Sequence, residues 1–162
     1  GQILARHEVP TAELGDSQVR VSGFLADQGL KFESTSNLYV RFEVADGYHI
    51  YGNPLPDGYI ASTAHIASTN GVRSGDPIYP PTTPRQFPEL GVTLNVYEGT
   101  TDIAIPIALG SEILNWPIEN KPTEIEIPIE VVYQACSETV CYVPKRETLR
   151  LQIPIEALEM AR

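Results

Sequence analysis

Strict alternation of apolar and polar residues constrains this chain more than any other feature. Leu38, Val40, Phe42 and Val44 alternate with Tyr39, Arg41 and Glu43, and Val92, Leu94 and Val96 alternate with Thr93 and Asn95. Ile103, Ile105, Ile107 and Leu109 form a third series, and Leu149, Leu151, Ile153 and Ile155 another. Between them, Ile125, Ile127, Ile129 and Val131 face one way while Glu124, Glu126 and Glu130 face the other. Val19 with Val21, and Tyr48 with Ile50, mark two further runs. A period of two buries one face of a strand and wets the other, as in antiparallel sheets.

Turn-forming residues separate these runs: Asp46-Gly47, Gly52-Asn53-Pro54, Pro56-Asp57-Gly58, Asn70-Gly71, Ser74-Gly75-Asp76-Pro77 and Glu98-Gly99. Helical periodicity is confined to Ser111 to Trp116 and to the tail from Glu156 to Arg162. Seven or so short strands predict an all-β, antiparallel β-sandwich, with a barrel as the second architecture. A chain of 162 residues, 42% of them hydrophobic, can build one core without metal or disulfide staples. A single domain over residues 1–162, with its core at about 17–155, is the expectation.

Two proline features qualify the pattern. Ile-Pro-Ile occurs around Pro106, Pro128 and Pro154, always with the proline at outward parity. Proline cannot donate to a sheet ladder, so each is expected at an edge, a bulge or a crossing between sheets. The stretch from Gly52 to Gln86 holds six of the 14 prolines and is read as a long proline-rich loop region, either functional or a packed surface excursion.

Composition excludes several classes of function. A formal net charge of −10 disfavours nucleic acid and anionic membrane surfaces, which need clustered Lys and Arg. No apolar run reaches transmembrane length, so this segment is not expected to enter a membrane. The start at Gly1-Gln2-Ile3-Leu4 carries no signal peptide, and the expectation is a trimmed piece of a larger membrane protein. Two cysteines and three scattered histidines cannot complete a zinc site, and no metal or cofactor is expected. His7 and His65 carry no motif, and Trp116 reads as core or interface. There is no nucleophile elbow and no phosphate-cradling glycine loop.

Cys136 and Cys141 flank four residues between the strand ending near Val132 and the one beginning near Thr148. On facing strands beside a turn, two cysteines reach the separation a disulfide needs. A plain structural disulfide is one reading. Against it, closing a loop of about six residues contributes only about 2 kcal/mol. If the strand from Ile125 runs on without a bulge, Cys136 faces outward with Val132 and Gln134. His49 falls at outward parity beside Tyr48 and Ile50 and reads as a solvated strand residue. Glu138 lies between the cysteines, with Lys145 and Arg146 as the nearby cations in sequence. That balance predicts a pair that reacts slowly until a partner docks.

The run Val132-Tyr133-Gln134-Ala135-Cys136 to Cys141-Tyr142-Val143-Pro144 resembles the N-terminal periplasmic domain of the DsbD family of thiol:disulfide interchange proteins. Asp46-Gly47-Tyr48-His49-Ile50-Tyr51, Tyr79-Pro80-Pro81 and Val96-Tyr97-Glu98-Gly99 are similar to further features of that family, so the resemblance covers about residues 30 to 155. It implies an immunoglobulin-like sandwich in a periplasmic or otherwise extracytoplasmic location. It implies that Cys136 and Cys141 cycle between dithiol and disulfide, with Cys141 forming the mixed disulfide. It implies thioredoxin-like redox partners, a membrane-embedded electron-transfer domain of the same protein, and periplasmic acceptors. It implies a shielding cap with an aromatic, for which Phe87 is the nearest candidate. Tyr48, Tyr51, Tyr133 and Tyr142 read either as lining the surface around the sulfurs or as ordinary strand packing. An immunoglobulin-like binding module with a static disulfide, and a redox-inactive paralogue kept for docking, stand as the alternatives.

Overall fold

The computed structural model describes residues 10–31, 34–67, 69, 71–110 and 123–156. In chain order the strands are β1 (Thr11–Gly15), β2 (Val19–Leu25), β3 (Thr35–Val44), β4 (Ile50–Tyr51), β5 (Thr63–Ile66), β6 (Val72–Ser74), β7 (Thr83–Phe87), β8 (Val92–Tyr97), β9 (Thr100–Leu109), β10 (Glu124–Tyr133) and β11 (Lys145–Pro154). No helix occurs among the described residues. The two helical stretches expected at Ser111 to Trp116 and beyond Glu156 lie outside them, as does His7.

The strands form an antiparallel β-sandwich of the immunoglobulin-like class. One layer is the sheet β1-β2-β3-β9-β6, and the other is β11-β10-β5. Alternation decides what each strand offers to the space between them. Leu38 and Val40 of β3 pair with Ile105 and Ile103 of β9, and all four are buried. Ile127 and Ile129 of β10 pair with Leu151 and Leu149 of β11, also buried. At Gly23 in β2 the layers approach so closely that a Cβ would stand 3.2 Å from Cδ1 of both Ile129 and Leu149.

The prolines of the repeated Ile-Pro-Ile sit where a neighbouring strand stops. Pro106 lies in β9 opposite Asn37, and its carbonyl accepts from Gly75 N at 2.8 Å, just past the end of β6. Pro128 lies in β10 opposite Arg150, and its carbonyl accepts from Ala67 N at 3.0 Å, just past the end of β5. In both places the proline accepts a hydrogen bond but has no N–H to return one, and the short outer strand ends there. Pro154 closes the edge strand β11.

The proline-rich stretch is mostly irregular but carries three short strands, each at a sheet edge. From β4 the chain passes to β5 in the second layer, then to β6 in the first, then to β7 beside β8. The third sheet, β4-β8-β7, stands at one end of the sandwich, and the cysteine hairpin sits against it.

Tyr133, at the end of β10, is core. It is 1% exposed and its ring meets Phe42 edge-on, with centroids 5.6 Å apart. Its hydroxyl is buried without a partner, and burial, helped by Asp16 and Glu147, pushes the phenol up to about 12. Below about pH 10 the phenol is neutral in both folded and unfolded chains. Above it the unfolded chain ionises first, so stability falls as pH rises from about 10 towards 12. Tyr133→Phe is expected to be neutral or stabilising by about 1 kcal/mol and to reduce that alkaline loss. Urea melts at neutral and alkaline pH check both.

Candidate functional site

Three local devices bring the site together. Asp46-Gly47 turns the chain into β4, with Gly47 at φ +86°, a conformation that favours glycine. Next, His49 and Cys136 exchange both main-chain hydrogen bonds, His49 N to Cys136 O at 2.9 Å and Cys136 N to His49 O at 3.0 Å. Finally, the residues between the cysteines close a tight hairpin. Ser137 N donates to Val140 O at 2.7 Å, and Tyr142 N donates to Ala135 O at 2.9 Å. Ser137 Oγ accepts from Thr139 N and Val140 N at 3.3 and 3.1 Å. The hairpin brings the cysteine Cα atoms to 4.0 Å, and Cys136 and Cys141 are joined in a disulfide.

The two sulfur-bearing residues are not equivalent. Cys136 is fully buried in a cluster with Tyr51, Leu94 and Val96. Cys141 is exposed, on a groove of about 570 Å³ that it shares with Tyr51, Arg85, Phe87, Leu90 and Val140. The outward placement of Cys136 expected from parity is therefore wrong. β10 ends at Tyr133, and Ala135 and Cys136 are both buried, so the alternation does not carry past the strand.

His49 overturns a second expectation. It is fully buried rather than solvated. Phe87, at the end of β7, and Tyr51 pack against it: the His49 ring lies 5.3 Å from Phe87 and 5.2 Å from Tyr51, centroid to centroid. His49 Nε2 is 3.3 Å from the Tyr51 hydroxyl, which is itself 3.9 Å from Cys141 Sγ. Burial, and then the Arg85 cation, hold His49 below its ordinary pKa, so the ring is neutral at neutral pH.

The electrostatics also differ from the sequence reading. Glu138 is balanced by Arg85 of β7, whose Nη2 donates to Glu138 Oε2 at 2.5 Å and whose Nη1 donates to Glu98 Oε2 at 2.6 Å. The guanidinium also lies 5.5 Å from the centre of the Phe87 ring. Lys145 instead faces Asp16, at 3.7 Å. Arg85 was missed because its acidic partners lie 13 and 53 residues away in sequence.

The aromatic candidates divide. Tyr51 is buried against Tyr59, with centroids 5.5 Å apart, and burial raises its phenol pKa. Phe87 is half-buried over His49 and lines the groove. Tyr48 and Tyr142 meet on the outer side, 6.0 Å apart. Tyr133 lies in the main core rather than on the surface around the sulfurs. His65 pairs with Glu130 at 3.1 Å on the second layer. Among the described residues no cluster of His, Cys, Asp and Glu could hold a metal ion, and no helix is long and apolar enough to cross a membrane.

A disulfide between an exposed cysteine and a buried one gives an attacking thiolate one preferred target, and leaves the second sulfur to depart and return. The family model described as thiol:disulfide interchange protein DsbD, N-terminal, matches residues 24–153. The solved N-terminal domain of Neisseria meningitidis DsbD in its reduced form is similar at 19% identity and a TM-score of 0.48, over 90% of this chain and 85% of that one. The N-terminal periplasmic domain of ScsB from Proteus mirabilis is similar at 18% identity and a TM-score of 0.52, over 86% of this chain. The match spans about half (49%) of that ScsB chain, and it bears on the fold. No curated protein matches the sequence.

Proposed function

Because this chain belongs to the DsbD N-terminal domain family of thiol:disulfide interchange proteins, we propose that it is an extracytoplasmic exchange domain that passes electrons through Cys136 and Cys141. The observation that carries this reading is the pairing of a fully buried Cys136 with an exposed Cys141. A dithiol donor of the thioredoxin-like class attacks Cys141 Sγ with its thiolate. A donor–Cys141 disulfide forms, the Cys136–Cys141 bond breaks, and Cys136 leaves as thiolate. The donor's second cysteine then displaces Cys141, so the donor becomes a disulfide and this domain a dithiol. The reverse sequence reduces an acceptor disulfide.

The surroundings suit a docking event. Leu90, Val140 and Val143 stand 60%, 50% and 78% exposed near Cys141, an apolar rim for a partner to cover. Phe87, at the end of β7, is the shielding aromatic, on the groove that Tyr51 and Cys141 also line, and the Tyr48–Tyr142 pair, beside Cys141 in the chain, is the further docking surface. We assign the whole chain to one such domain of a larger envelope protein, with a membrane-embedded electron-transfer domain as a further partner.

Mixing the oxidised domain with a reduced thioredoxin-like protein, then quenching with an alkylating probe and weighing the products, tests the reading. Two new thiols on this chain for each donor oxidised are expected. A domain that keeps its disulfide under those conditions would instead be a binding module with a static cross-link.

A further inference from the structure

We propose that Tyr51 and His49 form a hydrogen-bond relay that stabilises the Cys141 thiolate, with His49 a positioning residue that acts through the Tyr51 hydroxyl. The proposal deepens the exchange reading and rests on it. The Tyr51 hydroxyl is the hydrogen-bond partner of Cys141 Sγ among the described residues, at 3.9 Å, and His49 Nε2 lies 3.3 Å behind it. Tyr51 is 2% exposed and His49 fully buried, so water does not compete for either group.

The geometry sets the direction of the relay. His49 Nδ1 is buried without a partner, so the ring's hydrogen bonding runs through Nε2. With the proton on Nε2, the empty position is a bare lone pair rather than an orphaned N–H. Nε2–H then donates to the Tyr51 oxygen, and the Tyr51 O–H is left to donate to sulfur. The main-chain pairing of His49 with Cys136, and of Tyr51 with Val96, fixes both side chains relative to the disulfide.

The charged groups around His49 are Arg85 from β7, Glu98 after β8 and Glu138 from the cysteine turn. Arg85 is engaged by both glutamates, so the sulfur gains little from a free cation. A neutral donor relay is the stabilisation left to it. In the reduced domain the Cys141 proton goes to solvent, and the relay lends a hydrogen bond without taking up charge. The thiolate attacks an acceptor disulfide, one acceptor sulfur leaves as thiolate, and Cys136 then closes the ring by displacing the other.

The test uses the full 162-residue chain with Cys136→Ala, so that Cys141 titrates alone. Thiolate absorbance is followed against pH in this parent and with Tyr51→Phe, His49→Phe or His49→Gln added. Tyr51→Phe keeps the ring packing and is expected to raise the Cys141 pKa by about one unit. The thiolate fraction then falls about tenfold, but nucleophilicity rises with pKa, so alkylation slows about threefold. His49→Phe is expected to raise the pKa in the same direction, and His49→Gln, which keeps an N–H donor, to restore most of the parent value. A Cys141 pKa unchanged by Tyr51→Phe overturns the relay. A shift with Tyr51→Phe but none with either folded His49 variant overturns the role of His49. Titration needs no partner protein, so a chain that titrates as expected yet fails to exchange with a thioredoxin-like dithiol counts against the exchange reading alone.

Discussion

Removing the Cys141 sulfur is expected to stop electron transfer completely. In Cys141→Ser, reduction of an acceptor should fall to the rate measured with no domain present. Cys136→Ala should instead complete the first half of the reaction and stop as a mixed disulfide, because the resolving thiol is gone. The asymmetry follows from exposure: Cys136 is fully buried and Cys141 borders the open groove. Alkylation of the two single-cysteine variants separates the roles directly. A fully buried thiol reacts only through local opening, and an opening cost of about 3 kcal/mol slows it roughly a hundredfold. Equal alkylation rates for the two variants would contradict the assigned roles. Opening the disulfide should cost little of the fold. Its six-residue loop contributes about 2 kcal/mol, a shift of roughly 4–8 °C in Tm for a chain of this size.

Phe42→Ala is expected to have the largest effect on stability, about 3–5 kcal/mol by urea denaturation. Phe42 is fully buried in β3 and supports Tyr133, the last residue of β10 before the cysteine hairpin. Losing the ring leaves a cavity that the facing sheets can only partly fill, since they already touch at Gly23. Typical domains have only about 5–15 kcal/mol in all, so this one substitution removes a large share. A loss below about 1 kcal/mol would contradict the core described here. The contrast between the two substitutions is informative. Cys141→Ser removes function with little loss of fold, whereas Phe42→Ala weakens the fold that holds the hairpin in place.

Period two made the long strands legible in the sequence. The series at Leu38, Ile103, Ile125 and Leu149 became β3, β9, β10 and β11 because each is long enough to show its alternation and each buries one face. The short strands were not legible. β5, β6 and β7 have three to five residues and carry Thr, His, Arg and Gln; β5 and β6 also owe their pairing to strands distant in sequence, β10 and β9. The site divides in the same way. Cys136 and Cys141 and their hairpin could be read from spacing, because their partners are local. The inward turn of Cys136 could not, since parity holds only while a strand continues. The burial of His49 was hidden too, because it depends on packing against Phe87, 38 residues further along the chain. Arg85 sits in a proline-rich run that gives no hint of Glu138 opposite it.

The reduction potential of the Cys136–Cys141 pair, measured by equilibrating the domain with a thioredoxin-like couple of known potential, tests the central claim most directly. Structural disulfides in secreted proteins usually lie below about −300 mV, and exchanging pairs lie above it. An exchange domain predicts a value above about −300 mV, with reduction that is reversible and leaves the sandwich folded. A value below that limit, or a disulfide that opens only when the chain unfolds, would contradict it.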